Sequence, residues 1–405
     1  MRIFKFLVLA LIFAGVAFCQ DANPQEKPVA AIVADWFKYS HPDVLLTRIL
    51  KTYSLDGKGQ KSQLKLVSVF RDKPSSKDLS KAYAEAFGFK VCDSIEEALT
   101  LGKGMLAVDG VIISTEWCDY PVSPTGQVMY PKRRLFEEVV KVFQKTNRVV
   151  PVFIDKHIAD NWQDIIWIYN TAKKMKIPLM AGSSLPVSWR YPPVDVDTHS
   201  KLKEIIGISY HTLDGYGFHG LEMIQCLAEQ RKGGEIGVKS VQCLTGQCVW
   251  NAAGKLYDEN LLNMAACKVR KIPEGKTLKD MVKDPVLFVV NYNDGLRACL
   301  FTLNNFASQW AAAWKYADGK TDSSLFKLDD NLSTLMHFAN QMHGIENMII
   351  TGKPAWPVER TVLTSGVLDA LLISKLQSGK LINTPYLKIS YRPEWKWQQP
   401  EGVPE

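Results

Sequence analysis

VAAIVADWFKYSHPDVLLTRIL, Val29 to Leu50, is the stretch that decides the fold. AAIVA reads as a buried strand. Ser40 stands at a helix N-cap, with Asp43 closing a capping box. Leu46, Ile49, Leu50 and Tyr53 then fall on one helical face. Strand, tight turn and amphipathic helix is how a dinucleotide-binding domain opens. The turn between them is unusual. Where glycines would be expected, the chain reads Ala34-Asp35-Trp36-Phe37-Lys38-Tyr39.

The same alternation continues to about residue 190. LKLVSVF (64–70) is a second strand, and the helix that follows stops at Gly88, a left-handed terminator. KVC is a short third strand, and Ser94 with Glu97 caps the next helix. DGVIIS (109–114), VVPVFID (149–155) and PLMAG (178–182) are further strands, with helices at KRRLFEEVVKVFQKT and NWQDIIWIYNTAKKM. This spacing predicts right-handed crossovers and a doubly wound parallel sheet, a Rossmann-like α/β domain over 21–190. YPPVDVD (191–197) is a proline-rich junction. Beyond it, EIIGISYH, VKSVQCLTG and the pair VLFVVNY/LRACLFTL read as strands, the last two joined by Asn293-Asp294-Gly295. With helical stretches at 218–229, 332–348 and 359–377, residues 197–393 predict an α+β domain with an antiparallel sheet and helices on one face.

Composition bounds the class. The 405 residues are 46% hydrophobic and 22% charged, enough for two domains with real cores. The net charge of +7 is dispersed, with KVRK (268–271) the densest short cluster, so a nucleic-acid partner is not expected. Residues 1–20 read as an export signal: Arg2 and Lys5 precede an apolar run from Phe6 to Phe18, too short to span a membrane. Cleavage near Gln20 would remove those two charges and leave +5. Phe18 before Cys19 argues against lipoprotein anchoring. The expectation is a periplasmic or secreted protein with no transmembrane span. Order is expected between about residue 25 and Arg392. Eight cysteines at irregular spacing do not make a disulfide framework, and buried free thiols are expected. No helical H-x-x-x-H or H-E pair supports a metal site.

The order of motifs resembles the Gfo/Idh/MocA family of sugar-type oxidoreductases over residues 29–393. DGVIIST is similar to that family's fourth strand and VFIDKH to its EKP segment. MKIPLMAGSS resembles the strand with its VG ending. GYGFHGLEMIQCL resembles the helix start D-x-G-x-H-x-x-D. The stretch from Trp356 to Pro393 is similar to the closing helix and strand. The resemblance implies NAD(P) as cofactor, a sugar- or polyol-type substrate in an interdomain cleft, and homo-oligomers through the C-terminal sheet. It places Lys156 on the lysine that binds substrate and cofactor and His219 on the acid/base histidine. Ser114, Glu116 and Lys156 fall on the cofactor side. Trp117, Asp119 and Tyr120, in a βα loop of about fifteen residues, fall on the substrate side.

The departures matter equally. None of the three glycines that admit a pyrophosphate is present. The proline of EKP is His157, and Gly215 stands where the aspartate would be, one residue after Asp214. Arg71 and Asp72 follow the second strand, where ribose or 2′-phosphate contacts would lie. A second class of function therefore stands beside the oxidoreductase: a non-catalytic carbohydrate- or metabolite-binding protein on the same fold. In that reading Trp36, Phe37 and Tyr39 block the pyrophosphate groove. Glu116, Asp119, Tyr120, Lys156 and His219 would line the cleft.

Overall fold

The structure, a computed structural model, describes residues 26–402; the expected export signal, including Cys19, lies outside them. A parallel sheet is built from β1 (Lys27–Val33), β2 (Leu64–Arg71), β3 (Lys90–Cys92), β4 (Gly110–Ser114), β5 (Val152–Asp155) and β6 (Leu179–Gly182). Its order is β3-β2-β1-β4-β5-β6, with the direction of winding reversing between β1 and β4. α1 (His41–Leu50), α2 (Ser80–Phe87), α3 (Ile95–Thr100), α4 (Lys132–Thr146) and α5 (Trp162–Met175) connect the strands. Val29 to Val33 are fully buried, which is why the opening strand is apolar at every position instead of alternating. Ser40, Ser94 and Asn161 cap their helices through their side chains, and Gly88 ends α2 at φ 77°.

The second sheet comprises β7 (Trp189–Tyr191), β8 (Leu202–Ser209), β9 (Val238–Thr245), β10 (Val286–Tyr292), β11 (Arg297–Thr302), β12 (Trp310–Tyr316), β13 (Thr321–Lys327) and β14 (Ile382–Asn383). Its order is β14-β9-β10-β11-β8-β12-β13-β7, antiparallel except for the β8/β11 pair. Asn293-Asp294-Gly295 makes the β10–β11 turn, with Gly295 at φ 91°. Two corrections to the sequence reading arise here. β7, β12 and β13 extend the sheet beyond the expected strands. Helices also cover both of its faces. α6 (Gly215–Ala228) and α11 (Val358–Leu376) pack on one face, while α7 (Gln247–Asn251), α8 (Glu259–Val269) and α9 (Leu278–Met281) pack on the other. α10 (Met336–Thr351) leaves this half and packs beside α1 on the parallel sheet.

Gly220 positions α6. A Cβ there would lie 2.7 Å from Leu300 on β11, so only glycine lets the helix seat this closely. The tail beyond Arg392, expected to be loose, is also fixed. Trp395 packs against the cores of both halves, Trp397 Nε1 donates to Ser188 O at 3.0 Å, and Arg190 stacks on the Trp397 ring at 4.3 Å.

Candidate ligand-binding site

The carboxyl ends of β4 and β5 face the start of α6, and a cleft of about 300 Å³ opens between them. The β4–α4 loop gives it Glu116, Trp117 and Tyr130, the position just after β5 gives Lys156, and the turn into α6 with its first residues gives Thr212, Asp214 and Tyr216. The loop folds over as a small hairpin, bridged at Val122 and Val128. Val128 N donates to Asp214 Oδ2 at 3.1 Å, which ties this lid to α6. Lys156 and Trp117 both hold left-handed backbone conformations, at φ 58° and 68°. Such strain costs about 1 kcal/mol or more per residue and concentrates at functional positions. Here it brings the Lys156 ammonium to 5.2 Å from the Trp117 ring centre.

A buried charge network underlies the cleft. Lys132, fully buried, donates to Glu116 Oε1 at 2.6 Å and to the backbone oxygens of Asp155 and His157. Lys156, which lines the cleft, has its Nζ 3.6 Å from Glu116 Oε2, an ion pair longer than a hydrogen bond. His157 Nε2 lies 3.3 Å from Asp214 Oδ1. Burial alone would raise the Glu116 carboxyl, but Lys132, Lys156 and His157 outweigh it and hold the group well below the usual carboxylate range. Burial, reinforced by Glu116, pushes the Tyr130 phenol up. The cleft therefore offers ammonium donors, carboxylate acceptors and a half-exposed indole.

The structure brings together only some of the expected site residues. Lys156, Glu116 and Trp117 line the cleft. His219 does not: it is half-buried, edge-on to Tyr216, with Nδ1 engaged by Ser183 Oγ. Burial, then the Lys156 charge, hold its imidazole neutral, well below its ordinary value. Ser114 is buried and donates to Asp155 Oδ2 at 3.0 Å. Asp119 is exposed outside the cleft, and Tyr120 turns away to donate to Asp72 Oδ2 at 2.6 Å. Lys132 had no sequence signal, because the run Lys132-Arg133-Arg134 reads as a solvated helix start.

A dinucleotide can be tested against the groove at the β1/β4 switch point, where the first helix N-terminus holds pyrophosphate. The residues do not fit one. The Trp36 side chain is fully buried, stacked on Phe89 with ring centres 5.9 Å apart and edge-on to Tyr83. The Asp43 carboxylate occupies the α1 N-terminus, accepting from Tyr39 N at 2.8 Å and Trp36 Nε1 at 3.2 Å. His41 Nδ1 lies 2.7 Å from Asp155 Oδ2 and so joins the start of α1 to the end of β5. Arg71 pairs with Asp78, and Asp72 with Arg134.

Solved structures share this architecture. A putative myo-inositol dehydrogenase from Sinorhizobium meliloti 1021 superposes with TM-score 0.54 at 13% identity, over 88% of this chain and 99% of that one. Scyllo-inositol dehydrogenase from Lactobacillus casei, with bound NAD(H) and scyllo-inositol, gives 0.56 at 10% identity, over 88% and 98%. A probable dehydrogenase from Thermotoga maritima gives 0.55 at 13% identity, over 89% and 99%. These neighbours are inositol dehydrogenases and oxidoreductases of the Gfo/Idh/MocA type. The chain has their fold. No family model and no curated protein matches the sequence.

Proposed function

We propose that this chain uses the oxidoreductase fold to bind a small polyhydroxylated molecule, a sugar or polyol, in the cleft under the lid hairpin. The observation that carries the reading is the lining of the cleft. Lys156 donates, Glu116 and Asp214 accept, and Trp117 offers a stacking face, which together match alternating hydroxyls on an apolar ring. The two acids balance Lys156 and Lys375 at the rim, which favours a neutral ligand. The inositol dehydrogenases among the fold neighbours support the same ligand class. An export signal at residues 1–20 would put the binding event outside the cytoplasm, and N-terminal sequencing of the native protein tests that part separately.

The oxidoreductase reading assigns Lys156 to the substrate hydroxyl and His219 to its proton. The position of His219 outside the cleft lining, engaged by Ser183, and the filled dinucleotide groove favour the binding reading over it. The test is a panel of inositols, hexoses and alditols titrated against the purified protein, followed by tryptophan fluorescence and thermal stability. At least one neutral polyol is expected to bind saturably and raise the melting temperature. No stabilisation by any of them up to about 10 mM would remove the proposal.

A further inference from the structure

We infer that this chain has filled its coenzyme groove permanently with its own side chains, so that the cleft takes its ligand with no nicotinamide dinucleotide beside it. The filling is built in at three separate places. At the adenosine end, Leu79 N donates to Trp36 O at 2.6 Å, and Asp72 N and Lys73 N donate to Val33 O and Ala34 O, each at 2.8 Å. These bonds stitch the first turn to the loop after β2, where the Trp36 side chain is fully buried and stacked on Phe89. Trp36 N, donating to Asp78 Oδ2 at 3.1 Å, adds a fourth stitch. At the pyrophosphate position the amide of Tyr39 is already spent on Asp43. At the nicotinamide end, His41 and Ser114 converge on one oxygen of Asp155 and bar the path across the strand ends.

Charge opposes the coenzyme as firmly as shape. Asp35, Asp43 and Asp78 all surround the first turn, and Asp35 Oδ1 is buried with no hydrogen-bond partner among the described residues. The cation nearest Asp43 is Lys38, 3.8 Å away on an exposed side chain. A pyrophosphate would enter a place already held by carboxylates. Because the three fillings come from different side chains, restoring one glycine would clear only one of them.

Equilibrium dialysis of the purified chain against NAD+, NADH, NADP+ and NADPH tests the inference, with the fluorescence of the reduced forms as a second readout. The expected result is no saturable binding of any of the four up to about 1 mM. Saturable binding of any one below that level overturns it. A polyol that binds the cleft is expected to keep its affinity within about twofold when about 1 mM NADH is present, and a larger change also overturns it. If no polyol binds at all, the reading of the cleft fails, while dialysis still decides the groove.

Discussion

Single residues carry both what could be read early and what could not. Lys156 was legible because it follows an apolar strand, where open α/β sheets hold ligands. His41 was not: it reads as a helix-start residue, yet its partner is Asp155, 114 positions away in the sequence. Lys132 was hidden for the same reason, since nothing local distinguishes a buried lysine from its exposed neighbours. His337 shows what such burial does to titration. Its ring is 5% exposed, its Nδ1 has no hydrogen-bond partner among the described residues, and burial, then the Arg48 charge, push it down to about 3. The unfolded chain takes up this proton below about pH 6.5 while the native state does not, so the unfolded state binds more protons and stability falls as pH drops. At pH 5 the loss from His337 alone amounts to at most about 2 kcal/mol. Urea midpoints between pH 5 and pH 7 should therefore decline toward acid. His337→Gln should flatten part of that slope, and an unchanged slope would exclude the residue as its cause.

Among the elements, capped helices were the most readable. Ser40 and Ser94 announce their starts by type and spacing, and both side chains accept from the backbone as expected; Asn161 caps α5 in the same way. The α7–α9 segment was not read, although Asp258 and Thr277 cap its helices, because its helices are short and cover a sheet face formed by distant strands. The lid hairpin falls between these cases. Its length marked it as a binding loop, but which of its side chains turn inward depends on the Val122–Val128 bridge and on Asp214. Trp117 is 51% exposed, so its loss should leave the fold intact. Trp117→Ala is expected to weaken polyol binding about tenfold, the loss of a stacking contact worth about 1.4 kcal/mol, with no change in melting temperature. Lys156→Met should weaken it by at least as much. Fluorescence titration of the two variants checks both, and wild-type affinity in Trp117→Ala would exclude the indole as a platform.

For the whole molecule, the parallel half was legible from its periodicity, whereas the link between the halves was not. That link runs through α10 and through the tail, where residues 395, 397 and 399 turn inward and the residues between them turn out. Gln399 Oε1 accepts from Arg190 N at 3.1 Å, and Gln230 Nε2 donates to Trp395 O at 3.0 Å. Deleting residues 393–405 removes two half-buried tryptophans and uncovers Arg190, which is fully buried in the intact chain. The expected cost is about 2–4 kcal/mol, read as a lower urea midpoint. An unchanged midpoint would show that the tail does not hold the halves together.

The order of the strands has one more effect. The eight-stranded sheet begins and ends in its two shortest members, β14 with two residues and β7 with three. The parallel sheet likewise starts with the three-residue β3 and finishes with the four-residue β6. Long strands with many free N–H and C=O groups are kept to the interior of both sheets. Each margin thus ends in a very short strand and not in a long flat one, a form of edge that discourages edge-to-edge aggregation.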